Sequence, residues 1–352
     1  MNFITGFGIL NSMSDIIKRK DEHLEINLNR DVRSGLTTGF EKYSFIHQAL
    51  PELDLDNIST DTVFLGKRLR IPLLISSMTG GTQTGELINQ RLAEAANTTG
   101  IAMGVGSQRA DIENWHPGKH SKIREFAPKI PLFANLGAVQ LNYGFTVEEC
   151  QKAVEMIEAD ALILHLNPLQ EALQPEGETN FSGLSVKIEQ VCRQIDVPVI
   201  VKEVGWGISV QTARQLVGLG VAAIDVAGAG GTSWSEVEKH RTRDESRYRV
   251  AGAFKEWGIP TAECVATIRE EFSEVPLIAS GGMSNGMEIA KSIALGANLA
   301  GLARPFVVSA NQSTEAVVAT IEEIETELKI TMFAAGAKDI VSLSKTNLTH
   351  RE

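Results

Sequence analysis

Short, β-branched apolar runs recur along the chain, each followed by a glycine-rich or polar loop and then by a segment whose apolar positions return every three or four residues. The runs are "IPLLISSM" at 71–78, "IAMGVGS" at 101–107, "PLFANLG" at 131–137, "ALILHLN" at 161–167, "PVIVKEV" at 198–204, "AAIDVAG" at 222–228, "PLIASGG" at 276–282 and "LAGLARP" at 299–305. Continuous apolar character marks strands buried on both faces, and helical periodicity in "TVEECQKAVEMIEA", "SVQTARQLVGLG" and "NGMEIAKSIALGA" marks helices packed on a sheet. Eight such units in order predict an α/β fold, a closed (β/α)8 TIM barrel. A doubly wound open sheet fits less well, because no topological break or dinucleotide fingerprint interrupts the order.

Two stretches depart from the repeat. Residues 229–260 are too long and too charged for an ordinary barrel loop, and read as a lid or a subunit contact inserted after the sixth strand. Ahead of the first strand lies a charged N-terminal arm, "DIIKRKDEHLEINLNRDVRSG". Residues 1–14 read as a poorly ordered leader, and 15–352 as a single barrel domain with an N-terminal extension. The leader's basic residues follow its apolar run, the reverse of a secretory signal, and no window is long enough to cross a bilayer.

Composition narrows the chemistry. A formal charge of -11 leaves no basic footprint for nucleic acid or anionic lipid, so small molecules or proteins are the expected partners. Three cysteines, Cys150, Cys192 and Cys264, lack both CxxC spacing and an even count, which argues against a disulfide framework or a zinc site and for a reducing, cytoplasmic setting.

In a barrel the functional groups gather where strands end at the C-terminal face, and here those ends are polar: Thr79-Gly80-Gly81, Ser107-Gln108-Arg109, Asn135, His165 with Asn167, Lys202-Glu203, Gly230-Gly231-Thr232, Gly281-Gly282 and Ala303-Arg304. The "SGG" and "LAR" ends of strands seven and eight suit a phosphate, with Gly281, Gly282 and Ala303 offering backbone N–H donors. Lys202 sits in an apolar strand and needs an anion. That anion is either a ligand that becomes negative or a carboxylate of another strand, since Glu203 alternates to the opposite face. His165 and Asn167 share one face at the mouth, and Pro168 ends the strand. Gln170, Glu171 and Gln174 follow, a set of amides and one carboxylate suited to Mg²⁺ through Glu171. Glu176 and Glu178 read as a solvated rim. Arg19, Lys20 and Arg109 form a clamp for a diphosphate, although "KRK" at 18–20 also reads as an exposed basic patch.

Seven segments in order, "RKDEHL" (19–24), "SSMTGG" (76–81), "GVGSQR" (104–109), "HLNPLQEALQPEGE" (165–178), "VKEVGWGIS" (201–209), "AGAGGTSW" (227–234) and "ASGG" with "LAR", resemble the type 2, FMN-dependent isopentenyl-diphosphate isomerases over nearly the whole chain from about Asp15. The resemblance implies a homo-oligomer, a tetramer or octamer, with FMN at the barrel mouth. It places Ser77, Met78, Thr79, Ser107, Asn135, Lys202, Ser209 and Thr232 against the flavin, and Gly281, Gly282, Ala303 and Arg304 around its phosphate. It lines the substrate with Arg19, Lys20, Ser107, Gln108, Arg109, His165, Asn167 and Gln170, and gives Mg²⁺ to Glu171. Gln170, His165 and Lys202 then stand beside the reacting atoms, and NADPH or NADH is the external reductant of a redox-neutral reaction.

Alternatives remain on the same residues. An FMN-dependent 2-hydroxy acid oxidase or related dehydrogenase would share the phosphate loops, but its His-Gly-Gly-Arg run after strand six is replaced here by "AGGTSW". A purine-nucleotide dehydrogenase barrel would need a loop cysteine as nucleophile. A retired barrel acting as a scaffold would have no reason to keep Lys202, His165 and Glu171 aimed inward.

Overall fold

The computed structural model describes residues 18–78, 83–114 and 121–350. The leader 1–14 and Thr79 therefore lie outside the described residues. Eight parallel strands close into a barrel: β1 (Leu73–Ile75), β2 (Ala102–Gly104), β3 (Leu132–Gly137), β4 (Ala161–Leu166), β5 (Val199–Glu203), β6 (Ala223–Asp225), β7 (Leu277–Ser280) and β8 (Leu299–Leu302). Each falls inside one of the apolar runs, and β8 pairs with β1 to complete the circle.

Alternation along each strand sorts the core into two layers. Leu73 and Ile75 of β1, Leu162 and Leu164 of β4, and Val199 and Val201 of β5 pack outward among the helices. Leu74, Ala102, Phe133, Ile163, Ile200, Ala223, Ile278 and Leu299 fill the interior. Phe64 and Leu69 join that inner cluster from a hairpin of Thr62–Phe64 and Lys67–Leu69, so the hairpin plugs the barrel floor and the opposite end is left for polar side chains.

The helices start where the sequence supplies caps. Thr146 and Glu149 form a reciprocal capping box at Val147–Ile157, and Asn285 and Ser313 cap Gly286–Ala294 and Thr314–Ala334. The three cysteines are unpaired, each within a helix, and burial raises their thiols to about 12 for Cys150 and Cys264 and about 11 for Cys192. Among the described residues no helix is long and apolar enough to cross a membrane.

The insertion after β6 folds into two helices, Trp234–Arg241 and Glu245–Gly252. Both pack against the short rim helix Pro168–Leu173 that follows β4. The N-terminal arm is helical over 18–29 and lies against the first insertion helix: the rings of His23 and Trp234 meet edge to face, 5.2 Å between centroids. The arm then pairs Arg33 with Thr232, so arm, insertion and rim helix surround one mouth.

Candidate active site

Continuing the inward parity of each strand past the apolar interior defines a ring at the mouth: Ser76, Gly104, Asn135, Gly137, His165, Lys202, Asp225, Ser280 and Gly301. Strand register sets Gly137 beside His165, His165 beside Lys202 and Lys202 beside Asp225. Half of this ring is small. At Gly104 a Cβ would lie 2.6 Å from Ser77 Oγ, and at Gly301 one would lie 2.5 Å from Ser76 Oγ, so both glycines are required by close approach. The other half carries the long polar side chains.

Lys202 is buried, and its Nζ donates to the Glu203 carbonyl at 2.7 Å. Of the two partners the sequence left open, a protein carboxylate is present: Asp225 Oδ2 stands 3.8 Å away, beyond hydrogen-bond reach. Glu203 points to the other face, where its carboxylate accepts from the N–H groups of Val204, Gly205 and Trp206. Burial nevertheless pushes that carboxyl up to about 7.

His165 is paired through Nδ1 to Asn135 Oδ1 at 2.9 Å. Because the Asn135 amide nitrogen donates to the Val105 carbonyl at 3.1 Å, its oxygen is the acceptor, and His165 holds its proton on Nδ1 with Nε2 left as an acceptor. Burial, then Lys202 and Lys20, lowers His165 to about 4, so the ring is neutral at ordinary pH.

Asn167 opens the rim helix. It donates to Gln170 Oε1 at 3.2 Å and to Glu171 Oε1 at 2.9 Å, while Glu171 Oε2 accepts from Gln174 at 2.6 Å and from the Glu178 N–H at 2.6 Å. Glu171 is thus a buried carboxylate fixed by three donors, with one lone-pair site, on Oε1, remaining for a cation. No cluster of three or more acidic, His or Cys side chains accompanies it among the described residues, so a divalent ion there would take its other ligands from substrate and water.

Three cations converge. Lys20 Nζ donates to the Ser107 carbonyl at 3.1 Å. Burial lowers its pKa, with Asp111 opposing and the charges of Arg19 and Arg109 adding to the fall. Arg109 is held in a fork by Glu178 at 2.7 Å and 2.7 Å and by Glu113 at 2.8 Å. Glu178 is therefore not a solvated rim residue: it also accepts from Gln140 at 2.7 Å and is a structural partner of Arg109. Glu176, partly exposed, pairs with Arg241.

Some predicted residues are engaged elsewhere. The Gln108 amide donates to the Ala153 carbonyl at 3.0 Å, and its oxygen accepts from the Asn135 N–H at 3.0 Å, which ties the β2 end to β3 and the helix behind it. Ser209 caps helix Val210–Gly218 through the Thr212 N–H. Met78 packs half-buried against the core, and Arg304 is exposed at the start of helix Arg304–Ala310, where Ala303 provides no side-chain cap. Asp225 and Ser280 were not singled out from the sequence, although a carboxylate inside "AAIDVAG" carries the same signal that exposed Lys202.

Two observations mark this mouth as a place for a ligand with an anionic group, as a flavin mononucleotide has. Five buried side-chain N or O atoms among the described residues lack a hydrogen-bond partner, and four of them, Ser76 Oγ, Ser77 Oγ, Asn167 Oδ1 and Asp225 Oδ2, lie here. Such atoms are costly unless a ligand satisfies them. The second is the glycine cradle. Gly281 and Gly282 adopt φ of 107° and 77°, and a Cβ on Gly282 would lie 2.5 Å from Gly230 C. Only glycine brings the β6 and β7 loops so close, and that exposes backbone to an anion.

Residues 153–350 match the family model described as FMN-dependent dehydrogenase. The isopentenyl-diphosphate delta-isomerase of Rickettsia rickettsii (strain Sheila Smith) is 49% identical over 332 residues, 94% of this chain and 97% of the relative. The protein of the same name from Rickettsia canadensis (strain McKiel) is 50% identical over the same shares of both chains. Among solved structures, mandelate oxidase with 3,3-difluoro-2-hydroxy-3-phenylpropionic acid superposes with a TM-score of 0.65 at 18% identity, covering 97% of this chain and 99% of that one. Its complex with benzoyl-formic acid gives a TM-score of 0.65, again at 18% identity, over 97% and 98%. These oxidases share the fold.

Proposed function

The chain belongs to the FMN-dependent isopentenyl-diphosphate delta-isomerases, and from that premise we propose that it converts isopentenyl diphosphate reversibly to dimethylallyl diphosphate. The observation that carries the reading is the mouth itself, where unpartnered hydroxyl and amide oxygens face a neutral histidine and the buried Lys202 ammonium.

The reaction adds a proton at one carbon and removes another two bonds away, with positive charge developing between them. Reduced FMN, when bound, would supply ring nitrogens able to give and take protons and an electron-rich face that favours nearby positive charge. Ser77, Met78, Thr79, Ser107, Asn135, Lys202, Ser209 and Thr232 would hold it. Gly281, Gly282, Ala303 and Arg304 would take its phosphate.

Lys202 would set a positive charge where the flavin is negative. His165 accepts through Nε2 and stays uncharged. Gln170 and Asn167 would wall the hydrocarbon with neutral amides, which neither trap a cation nor admit bulk water. At the far end Arg19, Lys20 and Arg109 would bind the diphosphate, and Glu171 would hold Mg²⁺, which would supply further positive charge to it. Remote charge then orients a substrate that offers little else to grip. Gln108, engaged with the barrel wall, would act by fixing the Asn135 backbone beneath His165.

NADPH or NADH completes the reading as reductant, the free thiols fit a cytoplasmic setting, and a homo-oligomeric assembly accompanies the family assignment. The hydroxy-acid oxidase alternative loses support at the β6 loop, which carries Gly230-Gly231-Thr232 and no histidine or arginine. Isomerisation assayed with FMN, NADPH and Mg²⁺ should appear for the unaltered chain and drop at least tenfold, by kcat, for Gln170→Ala. Oxidation of lactate or glycolate without isomerisation would sink the reading.

A further inference from the structure

Only two acidic side chains lie on the eight barrel strands: Glu203, turned outward, and Asp225, turned in. Asp225 is fully buried. Its Oδ1 accepts from Ser280 Oγ at 2.5 Å, while Oδ2 has no hydrogen-bond partner among the described residues and faces Lys202 Nζ across 3.8 Å. Neutral residues make up the rest of the ring apart from Lys202, because His165 is held uncharged. Asp225 is therefore the only carboxylate in the mouth ring defined above.

An ammonium has three donors, and among the described residues Lys202 has one firm acceptor, the Glu203 carbonyl at 2.7 Å. Asp225 does not complete the set, since 3.8 Å is a charge contact without a hydrogen bond. What it does is hold the ammonium electrostatically from the β6 side while leaving its remaining N–H bonds available to a ligand. Ser280 keeps the carboxylate from rotating to close the gap. Burial raises the Asp225 carboxyl, and Lys202 and Ser280 both pull it back toward the charged form.

We propose that Asp225, anchored by Ser280, is a positioning residue that seats the Lys202 ammonium and offsets part of its charge, and so sets the reduction potential of the flavin. This rests on the reading above that Lys202 faces FMN. A negative charge a few ångströms behind the ammonium weakens its hold on any group that becomes negative on reduction. Removing it strengthens that hold. The device favours a flavin whose reduced form is stable enough to serve but not so strongly stabilised that its nitrogens stop returning protons.

The test uses FMN-loaded protein with Asp225→Asn, Ser280→Ala and Lys202→Met, each measured for bound FMN and for reduction potential against an equilibrating dye. Asp225→Asn is expected to favour reduced over oxidised FMN by roughly tenfold, a positive shift of about 30 mV for a two-electron couple. Ser280→Ala frees the carboxylate to close on the ammonium and should shift the potential the opposite way, to more negative values, and it carries the test alone should Asp225→Asn fail to fold. In steady state the Asp225→Asn change should appear in kcat, with KM for the diphosphate substrate unmoved. Lys202→Met separates the two levels: a negative shift there supports the FMN reading, and an unchanged potential overturns that reading and this inference together. With Lys202→Met shifted, an unmoved or more negative potential in folded Asp225→Asn, or an unmoved or more positive one in folded Ser280→Ala, overturns the inference alone.

Discussion

Replacing Arg241 with methionine tests how the arm is held over the mouth. Arg241 is 13% exposed and reaches three carboxylates on three segments: Glu238 at 3.0 Å on its own helix, Glu22 at 3.1 Å on the arm, and Glu176 on the rim loop. Glu22 and Glu176 are 38% and 41% exposed, so each of those pairs contributes about 0–1 kcal/mol. Glu238 is 2% exposed, and losing a charge-assisted bond there costs about 1.5–3 kcal/mol, with His23 at 2.8 Å its remaining partner. The arm loses its ion pair and sits beside a less satisfied Glu238. Only the Glu22 pair joins Arg241 to the arm, so opening of residues 18–29 should become easier by about 1 kcal/mol, roughly fivefold in the equilibrium. Amide hydrogen exchange across 18–29 reads this directly. Because Arg19 and Lys20 ride on the same helix, KM for the diphosphate substrate should rise by up to about fivefold while kcat changes little. Exchange as slow as in the unaltered protein, with KM unchanged, would refute the claim that Arg241 clasps the arm to the rim.

Other expectations follow from the same distances. Proton NMR should show the His165 ring neutral from pH 8 down to about 5, because it titrates near 4 rather than 6.5; the stability this residue contributes is present above pH 6.5 and lost as pH falls through 4, and an inflection near 6.5 would contradict the buried Asn135 pairing. Gly282→Ala should lower FMN affinity at least tenfold and destabilise the fold, since φ of 77° is strained for alanine and the added carbon lies 2.5 Å from Gly230 C; unchanged affinity by fluorescence titration would show that the cradle is not needed. Glu178→Gln should loosen the Arg109 fork and cost about 1.5–3 kcal/mol in urea unfolding, with no loss meaning that Glu113 alone suffices.

The sequence carried the barrel well because strand burial on both faces and helix amphipathicity are local signals, and each β strand sits within its apolar run. Strand ends were legible for the same reason: His165 and Lys202 break apolar runs. Asp225 breaks one too, and was passed over because the run was read only as a strand. Partnerships were harder. Arg109 and Glu178 are 69 positions apart, and whether that carboxylate meets solvent or a guanidinium depends on the path of the loop after β4. Gln108 looks like a mouth residue by position, yet register against β3 turns its amide to Ala153. The insertion helix Trp234–Arg241 reads as evenly polar, and its buried Glu238 makes sense only with His23 and Arg241 beside it.

The most direct measurement runs the reaction in D2O with isopentenyl diphosphate, Mg²⁺, FMN and a limiting amount of NADPH, and follows the product by mass spectrometry. The account predicts many turnovers per NADPH and solvent deuterium in the new methyl group of dimethylallyl diphosphate. One NADPH consumed per product, or product free of solvent deuterium, would contradict a mouth built to move protons.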